Sequence, residues 1–492
     1  MAQKPPKRTR VETDTLGRKS LPASAYYGIE TQRAVESFPI SGLRSPAVLI
    51  EAGAKIKRAA AWANARLGLL DRRTAAAIVS ACDEIAAGRL DGEFVVDVFQ
   101  MGAGTSFHMN LNEVIANRAE ELLGGRTGEY RLVRPHDDVN KGQSTNDVYP
   151  TAMRLASLEL LRRRLLPALI VFERSLARKA RSFDRVLKSG RTHLQDAVPV
   201  RLGQEFAAYG AAIAKSRSTI VFAARALHEL GIGGSAVGTG LNAHPRFAGL
   251  VVRRLAAGSG LPLTLSADPR EAMQSLRPFA DLSAALRNLA LELVRIANDL
   301  RLLASGPRTG LAEISLPPVA PGSSIMPGKV NPSMLEMLNQ VCYQVMGCDL
   351  AVSAAVQAGQ LELNVMMPVV SFNVLFMVEI LANALRETAA RAIDGIAADA
   401  GRCLAYAQAS AGLATALAPL VGYAAAAEAA GEAVRTGRSI IDVVRERGWL
   451  DERTLERVLD PRAMTGPGLP VGGGKAGTKP RGRARRRART GG

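Results

Sequence analysis

The chain has 492 residues, of which 47% are hydrophobic and 22% are charged. This composition supplies enough apolar side chains for a large core, and it excludes a short peptide module or a largely disordered protein. Lys and Arg number 63 against 45 Asp and Glu, so the formal net charge is +18, a value that also suits proteins that bind polyanions.

Most of the excess positive charge lies at the two ends of the chain. Residues 471–492 hold eight basic side chains and residues 1–10 hold four, with no acid in either range. The C-terminal end has few apolar residues to bury, so we expect it to be disordered. Two roles fit this end of the chain: it binds nucleic acid by counterion release, or it is an incidental, solubilising tail. No aromatic residues are interleaved with the basic ones, so stacking on bases has no support.

The cysteines and the N-terminus favour a cytoplasmic protein. The four cysteines show neither a CxxC pair nor a zinc-site spacing, and the basic first residues lead into no apolar signal segment. The uncharged run 404–427 is long enough to span a membrane. It is mostly Ala and is interrupted by Pro419, so we expect a broken core segment and no membrane partner.

Aromatic residues make up only 4% of the chain and Ala is abundant, which favours helices over sheets. The first helix is predicted to begin at the Ser-Pro pair of residues 45–46 and to run toward Gly68. A second runs from Asp71 to near Gly88. A third follows Pro150 as far as about residue 183, with a kink at Pro167.

Longer helices follow. Residues 268–271 (DPRE) are typical of a capping box, and a helix from Pro278 to Gly306 would span roughly 40 Å. The segments 332–359 and 369–399 are apolar around much of their circumference and need burial on several sides. We therefore predict a mainly all-α fold, a long-helix bundle completed by other subunits, with strands only in short pieces near the N-terminus.

The predicted division of the chain has five parts. They are a basic tail at 1–9, an N-terminal domain at 10–146, a central bundle domain at 147–400, a small helical domain at 401–465 and an Arg-rich tail at 466–492.

Four polar stretches interrupt the helices. They are 102–110 (GAGTSFHMN), 140–147 (NKGQSTND), 190–196 (GRTHLQD) and 322–332 (GSSIMPGKVNP). Three of the five histidines, His108, His136 and His193, lie within or beside them. Small residues let backbone N–H groups approach a ligand, and hydroxyl and amide side chains can orient toward it. This combination indicates a small, highly polar, anionic substrate.

The stretch 322–332 is the most informative of the four. Asn331 precedes a proline, as at a capped helix start, so Lys329 and Asn331 are predicted at a helix N-terminus, where anions are favoured. A serine is a poor base unless N–H donors and a cation stabilise its oxyanion. The loop offers both to Ser323 and Ser324, which makes a serine base possible.

Glu336 lies one turn into the same predicted helix. If it pairs with His193, it holds the tautomer of the imidazole and raises its basicity. Each of these residues also fits a structural role: serines often cap loops, a histidine is often a hydrogen-bonded structural residue, and a lysine is often a solvated surface charge. No GxGxxG loop follows a strand, so nucleotide binding is not expected.

The stretch 322–332 resembles the signature of the aspartase/fumarase superfamily, lyases that form fumarate by β-elimination. Further segments resemble the same family in the same order, and the resemblance covers about residues 10–465. These segments are 10–17 (RVETDTLG), 25–31 (AYYGIET), 110–119 (NLNEVIANRA), the other three polar stretches, 238–242 (GTGLN) and 359–364 (GQLELN).

The resemblance implies a mechanism with a serine base, and it assigns the catalytic roles to Ser323, His193, Lys329 and Glu336. Ser323 removes the Cβ proton of L-aspartate, and donors hold the resulting aci-carboxylate. One substrate carboxylate is expected to bind Ser324, Lys329 and Asn331. The amino group and the adjacent carboxylate are expected to contact Thr105, Ser144, Thr145 and Asn146. The carboxylate that becomes the enediolate is expected to bind Thr192 and His193. The implied enzyme is a homotetramer with sites built from three chains. It needs no organic cofactor, and no residues are assigned as metal ligands. Activation by a divalent metal stays an open alternative.

Two activities fit the resemblance. The segments 102–106, 143–147 and 360–365 resemble aspartate ammonia-lyases, whereas Thr192-His193 and 241–245 are also similar to fumarases. We therefore expect an aspartate ammonia-lyase, with class II fumarase as the alternative. Residues 134–137 read RPHD where the family often has HPND, so a secondary anion site associated with that segment is not expected to be retained.

Overall fold

The computed structural model describes residues 8–469. Residues 1–7 and 470–492 lie outside the described part, and with them most of both predicted tails. The described chain is mainly helical, as predicted. The helices are α1 Ile29–Ser37, α2 Ala47–Arg66, α3 Arg72–Ala86, α4 Thr105–Leu122, α5 Thr145–Leu160, α6 Leu166–Ser182, α7 Leu202–Ala223, α8 Phe247–Ser259, α9 Pro269–Gln274, α10 Arg277–Leu303, α11 Ser333–Val356, α12 Met367–Arg391, α13 Ala400–Ala409, α14 Ala418–Val421, α15 Tyr423–Thr436, α16 Ile440–Arg447 and α17 Glu452–Val458.

Within residues 8–469 the strands form four separate two-stranded pairs. They are β1 Thr9–Asp14 with β2 Gly17–Pro22, β3 Leu187–Thr192 with β4 Gln195–Arg201, β5 Glu229–Leu230 with β6 Thr264–Leu265, and β7 Ile314–Ser315 with β8 Ala397–Ala398. Only β5 and β6 are parallel. The β1–β2 hairpin lies near the N-terminus, where short strands were expected. The β3–β4 hairpin was not predicted.

The chain forms two compact units, each assembled from separated stretches of sequence. The first unit contains residues 8–176, 209–302 and 316–396, and the second contains 177–208, 303–315 and 397–469. The continuous domain boundaries given above stay a prediction.

The first unit is built on long, closely packed helices. Helix α2 packs on α3, α5 and α8, while α12 packs on α11 and α5. Small residues on α2 allow close approach: a Cβ at Gly53 would lie 2.7 Å from a methyl carbon of Leu111 on α4. Helix α10 contributes a row of fully buried leucines, Leu282, Leu286, Leu289, Leu293 and Leu300. These apolar faces form the core that supports the polar loops.

The second unit combines a hairpin with short C-terminal helices. Helix α13 packs on β3. A separate small core of Leu, Ala, Ile and Val side chains joins α15, α16 and α17. The uncharged run 404–427 is divided among α13, a 3₁₀ segment, α14 and α15, as the prediction of a broken core segment required. Among the described residues, one segment, Met367–Gly395, is long and apolar enough to cross a membrane, and 67% of its most apolar window is buried.

The predicted helix starts divide into correct and incorrect ones. Asp71 caps α3 by accepting from the backbone N–H groups of Arg73 and Thr74. Asp268 caps α9 through the N–H of Arg270, but the reciprocal bond from Glu271 that a capping box needs is not among the bonds of this helix start. The prediction for Ser45 was wrong in detail, because α2 begins at Ala47 with Pro46 at the N-cap position.

The third predicted helix begins earlier than expected. A capping box between Ser144 and Asp147 starts α5 at Thr145, so Pro150 lies inside the helix rather than before it. The interruption predicted at Pro167 takes the form of a π-helical turn at Leu161–Leu165. The capping side chains therefore decide where this helix starts, ahead of the proline.

Asn331 does not cap α11. The helix begins at Ser333 with Pro332 at the N-cap position and no side-chain cap. The Asn331 amide nitrogen donates instead to the carbonyl of Gly322, at 2.7 Å. Lys329 and Asn331 therefore precede the helix, and the amide of Asn331 closes the loop that leads into it.

Candidate functional site

Two of the four polar stretches meet where α4 and α5 begin. His108, on α4, places Nδ1 2.7 Å from Oγ1 of Thr145, the first residue of α5. His108 is only 2% exposed, whereas Thr145 is half-buried. Thr105 and Ser144 lie at the start of α4 and at the N-cap of α5. Residues of the first and second polar stretches are thus neighbours within one chain.

A glycine permits this close approach. Gly104 precedes α4 with φ of +81°, a conformation that favours glycine, and a Cβ there would overlap the ring of Tyr149 on α5. The preceding residue, Ala103, donates its backbone N–H to the carbonyl of Val365 at 2.8 Å. This bond brings the segment 360–365 against the first polar stretch.

Asp147 connects the second polar stretch to a glycine-rich loop. Its carboxylate accepts from the backbone N–H groups of Ser144, Gly233 and Ser235, at 2.9, 2.8 and 3.1 Å. Burial raises the pKa of Asp147 to about 6. Asn146 adds a bond from its amide nitrogen to the carbonyl of Ala236, at 2.8 Å. Four chain segments therefore converge at this end of the first unit.

A buried lysine on α2 makes a hydrogen bond to the second polar stretch. Lys57 on α2 is fully buried, and its Nζ donates to Oδ1 of Asn140 at 2.9 Å. Burial lowers the pKa of Lys57 to about 7, against the opposing effect of the nearby Asp147 carboxylate. Asn64, also on α2, donates to the carbonyl of Lys141 at 3.0 Å.

A cavity of about 720 Å³ opens beside the first polar stretch, with Thr105, Ser106 and His136 among its lining residues. Nε2 of His136 lies 2.7 Å from the carboxylate of Glu30, and this hydrogen bond raises the pKa of the imidazole. Deeper in the wall, Glu113 accepts from the backbone N–H groups of Gly28, Glu30 and Thr31, and burial raises its pKa to about 7. The RPHD segment thus pairs its histidine with a carboxylate, which competes with any anion for that side chain.

The stretch 322–332 forms an exposed loop in the first unit. Ser323 Oγ accepts two backbone N–H groups, from Met326 at 2.9 Å and Ile325 at 3.2 Å. The backbone of Gly322 donates to the carbonyl of Lys329 at 2.8 Å, and the Asn331 amide closes the loop. Ser324 and Lys329 are exposed, and Ser323 is half-buried. Ser323 Oγ thus accepts from two local N–H groups, whereas the predicted support from the Lys329 cation and the role of the serine as a base stay predictions.

The third polar stretch lies in the second unit, at the turn of the β3–β4 hairpin. Thr192 and His193 are exposed, and His193 adopts a positive φ of 55°. The base of the hairpin is fixed by fully buried Glu313, whose carboxylate lies 2.9 Å from Arg191 and 3.4 Å from buried Lys188. The structure thus gives Thr192 and His193 a rigid support, with both side chains open to the outside.

The structure brings some of the predicted site residues together within one chain. Thr105, Ser144, Thr145 and Asn146 lie at one end of the first unit. A second group lies in the fourth polar stretch and at the start of α11, namely Ser323, Ser324, Lys329, Asn331 and Glu336. Among the described residues, the side-chain hydrogen bonds of that stretch are made within the stretch itself and to Ser333. Glu336 belongs to the first unit and His193 to the second, so their pairing stays a prediction.

Three residues near the site were not predicted. His108 was noted but given no role, and Lys57 and Asp147 were not considered. The signal for Asp147 was present, since Ser144 and Asp147 have the spacing of a capping box. Nothing in the local sequence of Lys57 indicates its burial beneath Asn140. Among residues 8–469, no group of three or more His, Cys, Asp or Glu side chains could hold a metal ion.

Comparison with known proteins gives matches over nearly the whole chain. A family model described as Lyase matches residues 17–347, and one described as Fumarase C C-terminus matches residues 413–466. An aspartate ammonia-lyase of Bacillus subtilis is 47% identical over 94% of this chain and 97% of its own length. A class II fumarate hydratase of Ralstonia nicotianae is 46% identical over 93% and 99%.

A solved structure shows the same fold. It is a fumarate lyase:delta crystallin from Brucella melitensis bound to cobalt, 48% identical, and it superposes with a TM-score of 0.91. The match covers 94% of this chain and all of that one. The architecture described above is therefore shared along almost the full length.

Proposed function

Since the chain belongs to the aspartase/fumarase superfamily, and is therefore a lyase whose chemistry needs no organic cofactor, we propose that it is an aspartate ammonia-lyase. It eliminates ammonia from L-aspartate reversibly to give fumarate. The observation that carries the proposal is the pair of N–H groups that Ile325 and Met326 direct at Ser323 Oγ. Such donors stabilise a deprotonated serine oxygen, which a serine base requires.

The proposed reaction begins at Ser323. Its deprotonated oxygen takes the proton from Cβ of L-aspartate, and the electron pair moves into the neighbouring carboxyl group to form a doubly charged aci-carboxylate. The pair then returns to form the C=C bond as the C–N bond breaks and ammonia leaves. Donors that face the aci-carboxylate contribute most, because that charge exists only along the reaction path.

The substrate contacts are proposed from the polar stretches. Lys329, Asn331 and Ser324 bind one carboxylate, and Thr192 and His193 bind the carboxylate that becomes the enediolate. The amino group and the adjacent carboxylate contact a set of residues at the start of α4 and α5, namely Thr105, Ser144, Thr145 and Asn146. Glu336 orients the imidazole of His193.

The proposal that ammonia rather than water is eliminated rests on local sequence segments. Overall sequence identity does not distinguish the two activities, since it is 47% to an aspartate ammonia-lyase and 46% to a class II fumarate hydratase. Segments 102–106, 143–147 and 360–365 favour the aspartate ammonia-lyase. Thr192-His193 and 241–245 are also similar to class II fumarases, and we retain that activity as the second candidate. Both reactions use a four-carbon dicarboxylate.

One assay separates the candidates. Purified protein is mixed with L-aspartate or with L-malate, with and without Mg²⁺, and fumarate is followed by its ultraviolet absorbance together with release of ammonia. We expect fumarate and ammonia in equal amounts from aspartate. Fumarate from malate, with none from aspartate, would assign the enzyme to the fumarases. A panel of larger succinyl-bearing substrates tests for a wider specificity.

We also propose a cytoplasmic homotetramer with sites shared between subunits. The exposed Ser323 loop and the exposed Thr192-His193 turn support this, since each presents polar side chains outward. Two inactive variants, Ser323→Ala and Thr192→Val, are unfolded together, refolded as a mixture and assayed. Shared sites predict partial recovery of activity in the mixture, whereas a site within one chain predicts none. Light scattering checks the mass against four chains of 52.1 kDa.

A further inference from the structure

The His108–Thr145 contact is the starting point. The two side chains lie on different helices, and their polar atoms are 2.7 Å apart. The other ring nitrogen of His108, Nε2, is buried and has no hydrogen-bond partner among the described residues. A buried polar side chain should have its hydrogen bonds satisfied, and the one partner of His108, Thr145, is a residue that we propose to contact substrate.

The imidazole is neutral. Burial lowers the pKa of His108 well below 6.5, and the charge of Lys57 acts in the same direction. A neutral imidazole carries one N–H, so either Nδ1 or Nε2 is the donor. The geometry of the surroundings selects between the two tautomers.

The Nδ1–H tautomer fits the burial better. If Nε2 carried the hydrogen, a buried N–H would have no acceptor, and orphaned donors are rarer in proteins than orphaned acceptors. With the hydrogen on Nδ1, the unpaired atom is a lone pair, and Nδ1–H donates to Thr145 Oγ1. The hydroxyl of Thr145 then accepts from His108, and its own hydrogen is available to another group.

We propose that His108 is a positioning residue that makes the Thr145 hydroxyl a hydrogen-bond donor to a substrate carboxylate. Thr145 is the first residue of α5 and is half-buried, so its free hydrogen points from a helix N-terminus, where an anion is favoured. A donor that itself accepts a hydrogen bond is polarised and donates more strongly. The inference rests on the proposed function through the role of Thr145.

The test is a double-mutant cycle with a rescue variant. His108→Phe removes the donor and keeps a ring, Thr145→Val removes the hydroxyl, and the double variant combines them. We expect each single variant to lower kcat/KM by about 10- to 100-fold, the usual range for a hydrogen bond to a charged group. The double variant is expected to lose no more than the worse single variant, because both changes interrupt one chain of hydrogen bonds.

Rescue distinguishes positioning from packing. In His108→Asn the amide nitrogen can take the place of Nδ1, whereas in His108→Gln it lies nearer the place of Nε2. We expect Asn to restore most of kcat/KM and Gln to restore little. The surface variant His228→Phe is the control and should keep normal activity. Circular dichroism and light scattering verify folding and assembly, and the Asn and Gln pair decides the test if the Phe variant does not fold.

Several results would overturn the inference. They are unchanged kcat/KM in His108→Phe, additive losses in the double variant, or equal activity of the Asn and Gln variants. Failure of the proposed function is a separate result, since a wild-type enzyme active on malate but not on aspartate shows it directly. In that case the cycle is measured with malate, which carries the same two carboxylates.

Discussion

Nζ of Lys57 and Oδ1 of Asn140 lie 2.9 Å apart, and the lysine that makes this bond is completely buried. The ammonium group is thus held beneath a stretch whose neighbouring residues are proposed to bind substrate. Burying a charge is unfavourable, which is why the pKa of Lys57 falls to about 7. The bond to Asn140 fixes the position of the second polar stretch, although burial favours the neutral form of the Lys57 amine that makes this bond.

Lys57 makes stability depend on pH in a defined direction. Between pH 7 and pH 10 the unfolded chain binds more protons at Lys57 than the folded chain does, so its contribution to stability rises with pH. Lys57→Met removes this contribution. We expect the free energy of unfolding of the wild type, relative to that variant, to increase by about 2 kcal/mol from pH 7 to pH 9. Urea unfolding at fixed protein concentration measures it, and a difference that does not change with pH would contradict the buried-lysine assignment.

Ser323→Ala tests the proposed base. The methyl group cannot accept a proton, so we expect turnover to fall by at least about 100-fold, the lower range for loss of a general base. The exposed serine variant Ser218→Ala on α7 is the matched control and should keep full activity. Stopped-flow and steady-state fumarate absorbance measure the rates. A Ser323→Ala enzyme with a near-normal rate would move the base to another residue.

The pair formed by His136 and Glu30 should be visible in a titration. Because Glu30 raises the pKa of His136, the pair stabilises the fold below the ordinary histidine pKa, and this contribution is lost as pH rises through the raised value. Glu30→Gln is expected to lower the pKa of His136 toward its ordinary value. Histidine-labelled protein followed by NMR measures it, with His136→Asn to assign the signal. An unchanged pKa would mean that the carboxylate does not hold the imidazole in solution.

The basic C-terminal end contains none of the proposed site residues. In a chain that ends at residue 465, we expect lyase activity to be unchanged and any salt-sensitive retention on immobilised nucleic acid to be lost. Log affinity plotted against log salt concentration for the full chain gives the number of contacts involved. Equal retention of both chains would show that the terminal charges have no part in binding.

Local signals in the sequence were sufficient where one side chain caps its own helix. Asp71 and Asp268 were predicted correctly because the acceptor and the N–H groups that it satisfies lie within three residues. Asn331 has the same local pattern and fails, because its amide nitrogen finds the carbonyl of Gly322 across the loop. Competition from a partner nine residues away is invisible to a helix-start pattern.

The β3–β4 hairpin was missed for a related reason. Its buried positions include Lys188 and Ser189, so the alternation of apolar and polar residues that marks a strand is absent. The lysine is tolerated there because two carboxylates pair with it, Glu205 at 2.9 Å and Glu313, more than a hundred residues later, at 3.4 Å. The contact between His108 and Thr145 likewise depends on how α4 and α5 pack. The polar stretches are visible in the sequence and their chemical roles stay a prediction, whereas the partners of the buried polar groups are set by tertiary structure.

The division of the chain into interleaved stretches has a consequence for synthesis. The hairpin that carries Thr192 and His193 packs on α13, which begins at Ala400, about 200 residues later. At a translation rate of about 5–20 residues per second, the hairpin leaves the ribosome roughly 10–40 s before its partner exists. In the first part of that interval Glu313 is missing as well, so Lys188 has neither Glu313 nor α13 beside it. The second unit cannot be completed until the last fifth of the chain has emerged.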